Sequence, residues 1–191
     1  MSGTFAVSYF LITLFFSLLL FVLWARIFLR FAKISTLNPM SRLIYTVTDV
    51  LVKPIDGLVS PKKPQLRRYD GACFIALVLV EFVKFIVLSF LFYGALMPVS
   101  YLLLFVFADL VVQPCNLLFY LILIRVVMHY MNPDWKTPFA EVIYKVTEPV
   151  LSYGRCVIPN ISGFDFSPFI ILLVLKVVTI FMTASLPLKL I

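Results

Sequence analysis

Four apolar stretches, each long enough to cross a bilayer, leave this chain few ways to fold. A spanning α-helix takes about 20 mainly apolar residues, and runs of that kind lie at about 5–31, 71–96, 100–131 and 167–186. Only 13% of the 191 residues are charged, against about 25% in soluble domains. A water-soluble fold is excluded on that ground. The stretch 71–131 has room for a third span, since 85–108 is uncharged; Gly94 and Pro98 break it, and two helices are the simpler count. Residues 1–25 carry no charge, and so lack the basic leader of a cleavable signal peptide; they read as a retained helix. The fold class is therefore an all-α integral membrane protein with four transmembrane helices.

The net charge of +7 comes from basic residues that flank apolar runs and form no separate basic face. Segments 26–68 and 125–155 hold thirteen of the sixteen Lys and Arg, whereas the opposite loop and both ends hold only Lys189. Such asymmetry marks the cytoplasmic side, so the polar segments are expected to face the cytoplasm and both termini the outside. Nucleic acid is a poor partner for a basic cluster at a membrane surface. Three widely spaced cysteines (Cys73, Cys115, Cys156) and one histidine offer neither a disulfide framework nor a zinc site.

The chain also repeats itself. Shifted by 99 residues, 38–51 (NPMSRLIYTVTDVL) lies over 137–150 (TPFAEVIYKVTEPV), with Pro39/Pro138, Ile44/Ile143, Tyr45/Tyr144, Val47/Val146 and Thr48/Thr147 identical. Arg26 falls on Arg125 at the same offset, and 70–80 (DGACFIALVLV) matches 165–175 (DFSPFIILLVL) at an offset of 95. One module is thus helix, surface segment, helix, and the two modules cover 1–97 and 98–191 in parallel orientation. Apolar residues at 40, 43, 44, 47, 51 and at 139, 142, 143, 146, 150 give each surface segment a helical stripe. Asn38-Pro39 and Thr137-Pro138 supply an N-cap and a first-turn proline; Pro54 and Pro149 are expected to end helices over 39–53 and 138–148. Burial within the bundle and lying in the membrane interface are both open to such helices; with no soluble domain to pack on, the interface is favoured.

Charges inside the spans are expensive in hydrocarbon. Glu81 and Lys84 share a helix face. Counted from the aligned Asp70 and Asp165, Glu81 and Lys176 lie at equal depth, about 16 Å along their helices, and Asp109 comes near the level of Lys84. The expected pairs are Glu81–Lys176 and Asp109–Lys84. They either neutralise one another and fix helix register, or mark a substrate or proton pathway, or belong to an unrecognised loop. Arg26 and Arg125, at helix ends, are expected to snorkel to headgroups, and their repetition leaves open a specific lipid or partner contact. Lys62, Lys63, Arg67 and Arg68 fit an acidic lipid or partner, or topology alone. Ser167-Pro168 reads as an N-cap and first helical residue, with Asp165 accepting hydrogen bonds in the turn before it. His129 reads as a headgroup neighbour. No nucleophile–base set, P-loop or dinucleotide fingerprint is present; no catalytic, metal or cofactor site is expected.

The second module carries Arg125, Val146-Thr147-Glu148-Pro149, Arg155, Ile158-Pro159 and Gly163-Phe164-Asp165-Phe166-Ser167-Pro168. This string resembles the YggT (YlmG) family of bacterial and plastid membrane proteins, in its two-repeat bacterial form. The first module departs from it, with Thr48-Asp49-Val50 for Thr-Glu-Pro and Asp70-Gly71-Ala72-Cys73 for Asp-Phe-Ser-Pro. A binding role of the motif would therefore fall on the second module. The resemblance implies a multi-pass protein of the bacterial inner membrane, with links to osmotic or envelope stress, to division, or to cofactor attachment in plastid relatives. Three readings follow: a non-enzymatic scaffold or assembly factor that contacts lipids, protein partners or its own copies, a small oligomeric channel or transporter in ion or osmotic homeostasis, and, third, an accessory role in haem attachment that would involve His129.

Overall fold

The computed structural model describes residues 3–35, 37–59, 71–131, 137–157 and 165–186. Among them are six helices and no strand: α1 (Gly3–Phe31), α2 (Pro39–Val59), α3 (Gly71–Tyr93), α4 (Val99–Met131), α5 (Pro138–Val157) and α6 (Ser167–Ala184). Helices are what a chain in hydrocarbon must form, because each backbone N–H and C=O is then satisfied within its own segment. α1, α3, α4 and α6 are long and apolar enough to cross a membrane. Their outward faces carry bare apolar side chains, among them Phe15, Phe107 and Phe181, each more than 60% exposed. The turn between α3 and α4 is tight. Gly94 takes φ +64°, and Ser89 Oγ donates to Ala95 O while accepting from Met97 N, both at 2.8 Å.

α1 packs on α3 and α4, α3 on α4, and α4 on α6; α2 and α5 lie across the same end of the bundle and touch each other. The two modules pack alike. Leu23, Val52 and Ala76 bury together in the first, and Ile122, Leu151 and Ile171 in the second. These are the same three positions at the offsets of 99 and 95. The seam between modules is filled by Leu29 and Ile34 from the end of α1 and by Val146 from α5.

The surface helices begin as expected. Met40 N donates to Asn38 Oδ1 at 3.0 Å and Ala140 N to Thr137 Oγ1 at 3.2 Å. They do not end where expected. α2 and α5 run through Pro54 and Pro149 for five and eight further residues, to Val59 and Val157. Proline removes one N–H and leaves one carbonyl without its donor. Those carbonyls belong to Val50 and Lys145, both exposed residues on the side away from the bundle, where a helix tolerates a missing bond better than in a packed core. The apolar stripe also divides. In α2 the side packed on the bundle carries Ser41, Thr48 and Val52, while Leu43, Val47 and Val50 are exposed. In α5 the corresponding Ala140, Thr147 and Leu151 are buried together with Ile143 and Val146.

Candidate functional site

The family string converges where α5 meets α4 and α6. Arg125, six residues before the end of α4, turns back onto α5. Its Nη1 donates to Thr147 Oγ1 at 2.8 Å and its Nη2 to Glu148 Oε2 at 2.5 Å. The guanidinium lies 4.8 Å from the ring centre of Tyr144, a cation–π distance. Thr147 Oγ1 in turn donates its own hydrogen bond to Ile143 O at 2.7 Å. Glu148 reaches on to Arg155, whose Nη1 donates to its Oε1 at 2.6 Å, and Arg155 Nε donates to Asp165 Oδ2 at 3.1 Å. The chain Arg125–Glu148–Arg155–Asp165 thus joins α4, α5 and the start of α6.

The first module builds the same clamp. Arg26 Nη1 donates to Thr48 Oγ1 at 2.8 Å and to Asp49 Oδ1 at 2.7 Å, and its guanidinium lies 4.8 Å from the Tyr45 ring. Asp49 also meets Lys53 Nζ at 3.1 Å. The arginines therefore do not reach outward as expected. Each has a hydroxyl, a carboxylate and an aromatic face within one helical turn of the surface helix, and charge-assisted bonds of this kind are about twice as strong as neutral ones. Tyr45, Thr48, Asp49 and Lys53 were not among the sequence candidates. Tyr and Thr are identical in the two copies, and that identity was the available signal.

Burial works to raise the carboxyls of the clamps, and their partners outweigh it. Hydrogen bonds from Arg125 and Arg155 hold Glu148 below the usual carboxylate range. Asp49 is lowered by Arg26 and Lys53, and Asp165 by Ser167 and Arg155. The bond to Ser167 corrects the expected cap of α6. Ser167 is its first helical residue, and Phe166 occupies the cap position without a side-chain bond. Asp165 Oδ1 accepts from Ser167 N at 2.9 Å. Ser167 and Pro168 begin the helix beneath it, and Gly154 of α5 lies so close that an added Cβ would stand 3.2 Å from Ser167 Cβ and 2.6 Å from Ile171 Cδ1. Beside the clamp, Arg125, His129, Tyr144, Arg155, Asp165 and Phe169 help line a cavity of about 220 Å³. Pro149 sits within α5, as above. Pro159, Gly163, Lys62, Lys63, Arg67 and Arg68 lie outside the described residues.

The intramembrane charges form a second site, in a different arrangement from the two pairs expected. Glu81 and Asp109 have no exposed side-chain surface and Lys84 only 2%. Lys84 Nζ contacts Asp109 Oδ2, as expected. Glu81 does not meet Lys176. It lies 3.9 Å from Lys84, while Lys176 is exposed and stands 5.8 Å from the Phe119 ring centre. Equal depth placed the two side chains level, but α6 packs on α4 and α5, and Glu81 turns toward α4. Among the described residues no group of three or more His, Cys, Asp and Glu is placed to hold a metal ion.

Four spans, two tandem helix–surface helix–helix modules and an arginine clamp in each define a duplicated multi-pass membrane protein. The family model described as CCB3/YggT matches residues 5–91 and again 101–186, and the chain belongs to that family. An uncharacterized protein in the proC 3′ region of Vibrio alginolyticus is 27% identical over 168 residues, covering 87% of this chain and 88% of its own. The uncharacterized protein YggT of Escherichia coli K12 is 26% identical over 160 residues, 82% of this chain and 79% of its own. An uncharacterized protein of Haemophilus influenzae is 24% identical over 161 residues, 84% and 83% of the two chains. No solved structure matches.

Proposed function

We propose that the chain is a non-enzymatic membrane scaffold whose paired surface helices present one fixed platform to protein partners at the cytoplasmic face of a bacterial inner membrane. The observation that carries this reading is the clamp found twice. A helix that only floated in the headgroups would need no buried arginine, yet Arg26 is 7% exposed and Arg125 13% by side chain. Asn38 Nδ2 also donates to Pro138 O at 3.1 Å across the two modules, which ties α2 to α5. The result is a double surface with a fixed outline. Exposed Arg42, Glu141 and Lys145 stand on it for partners to read. A role in osmotic or envelope stress would be exercised through those partners.

Photo-crosslinking residues at 42, 141 and 145 test this in native membranes. Discrete protein adducts are expected there and not from lipid-facing positions 107 and 173. The adducts should disappear in an Arg26→Leu/Arg125→Leu variant that still inserts. Adducts absent from all three surface positions would refute the scaffold. Labelling of the exposed Cys156 from the outer side alone would reverse the orientation. A small channel or transporter is the second reading, favoured by the buried Glu81–Lys84–Asp109 group, and electrically silent proteoliposomes would count against it.

A further inference from the structure

Neither module repeats the buried group of Glu81, Lys84 and Asp109, and the clamps make no use of it. The two carboxyls meet at one ammonium, that of Lys84. Among the described residues no donor reaches either oxygen of Glu81. Lys84 Nζ is directed at Asp109 and stands 3.9 Å from Glu81, beyond a hydrogen bond. The amide of Gln113 is directed at Asp109 too, at 3.3 and 3.4 Å. An ionised carboxylate only accepts, whereas a protonated one donates. Two acids at one ammonium are complementary when one of them is protonated, and with Lys84 and Gln113 both donating to Asp109 the unmatched Glu81 is the one to carry the proton.

Charge gives the same answer. Two carboxylates and one ammonium would leave a net negative charge in the middle of the bundle, where an uncompensated charge is costly. Among the described residues no further cation is within reach. Lys176 stands by Phe119, and Arg26 and Arg125 are held by their own clamps. With one proton on Glu81 the group is a neutral acid beside a balanced ion pair.

A crevice of about 360 Å³ opens between α1 and α4, and Lys84 and Asp109 form part of its wall. From Asp109 it follows Gln113, Asn116 and Tyr120 along α4, facing Thr13 and Ser17 of α1. Asp109 to Tyr120 is eleven residues, about 16 Å of helix, in the direction of the surface helices. The walls are largely apolar, and these polar groups form the line along which water would enter.

We propose that Glu81, Lys84 and Asp109 form a proton-binding site within the membrane, in which Glu81 carries an exchangeable proton. Water in the crevice delivers the proton and takes it away as hydronium, and release leaves the two carboxylates to share Lys84. The site is independent of the scaffold reading, since it shares no residue with the clamps or with the exposed platform.

Infrared spectroscopy on the full chain in nanodiscs of phosphatidylethanolamine and phosphatidylglycerol tests this. A protonated-carboxyl stretching band is expected at neutral pH, shifting in D₂O and lost in Glu81→Gln. The glutamine amide keeps a donor without the proton, so this variant should insert and fold like the parent. No such band at neutral pH would overturn the proposal. So would a band insensitive to D₂O, a band that survives Glu81→Gln, or a Glu81→Gln chain that fails to fold.

Discussion

In the first module the acid that receives Arg26 is shared with Lys53, four residues along the same helix. In the second, Glu148 passes from Arg125 to Arg155, and Arg155 carries the network to Asp165 at the foot of α6. Asp56 occupies the first-module position equivalent to Arg155, so an arginine link is not repeated at that position. The converse holds in the middle of the bundle. Glu81 and Lys84 of α3 correspond to Lys176 and Thr179 of α6, and the ion-paired group exists on one side only. What is common to the copies holds a surface helix against a span. What distinguishes them is where a copy acquired something further: a tie to α6 in the second, a buried charge group at the junction of α3 and α4.

The largest effect expected from testing this contrast comes from Lys84→Met. It leaves Asp109 buried without its cation, and breaking a buried pair costs about 3–5 kcal/mol. Thermal unfolding in detergent micelles should show that loss, and Lys84→Met/Asp109→Asn should recover most of it. Lys176→Met, the corresponding change near Glu81's repeat position, should do little because that lysine is exposed. A loss from Lys176→Met equal to that from Lys84→Met would remove the asymmetry between the modules.

A smaller effect is expected where α5 crosses α6. Gly154→Ala brings a methyl to 2.6 Å from the flexible end of Ile171. Overpacking costs about 1–3 kcal/mol and the gain in helix propensity returns about 1 kcal/mol, so a net loss of about 1 kcal/mol is expected in the same measurement. The first module has Ile55 at this position, and Ile55→Ala should not reproduce a steric loss.

The smallest effect concerns acid sensitivity. Glu148 and Asp165 are held below their ordinary values of 4.5 and 3.8. A carboxyl lowered by folding stabilises the fold above its unfolded value and loses that contribution as pH falls through its folded value. Both contributions are therefore complete near neutrality and disappear below about pH 4. Arg155 is well exposed, and exposed pairs contribute about 0–1 kcal/mol. Arg155→Gln should flatten the acid limb of a stability-against-pH curve slightly, while Lys53→Gln should alter it only through Asp49. An acid limb unchanged by Arg155→Gln would show that the extended network adds nothing to the simpler clamp.

Much of this was legible from residue order. Length and apolarity of the runs settled the number of spans, because hydrocarbon allows no other solution for their backbone. The N-caps at Asn38 and Thr137 were legible because capping is local. The ends of α2 and α5 were not. Whether a proline stops a helix depends on whether the orphaned carbonyl falls in a packed core, and the exposure of Val50 and Lys145 is a property of the packed molecule. Depth along a helix can be counted, so the levels of Glu81, Lys84 and Asp109 came out of the sequence. Which way each side chain points is set by helix packing, and this separated Glu81 from Lys176 and turned Arg26 and Arg125 inward.

By itself, then, the sequence determined a duplicated four-span membrane protein, its capped surface helices and the Lys84–Asp109 pair. Those follow from periodicity, length and spacing, which are one-dimensional quantities. Only the tertiary structure decided that each repeated arginine clamps its own surface helix, that the second clamp continues to Asp165, and that Glu81 lies buried beside the Lys84–Asp109 pair and away from Lys176. These depend on the rotation of one helix against another, and rotation is fixed by the packing of side chains remote in sequence.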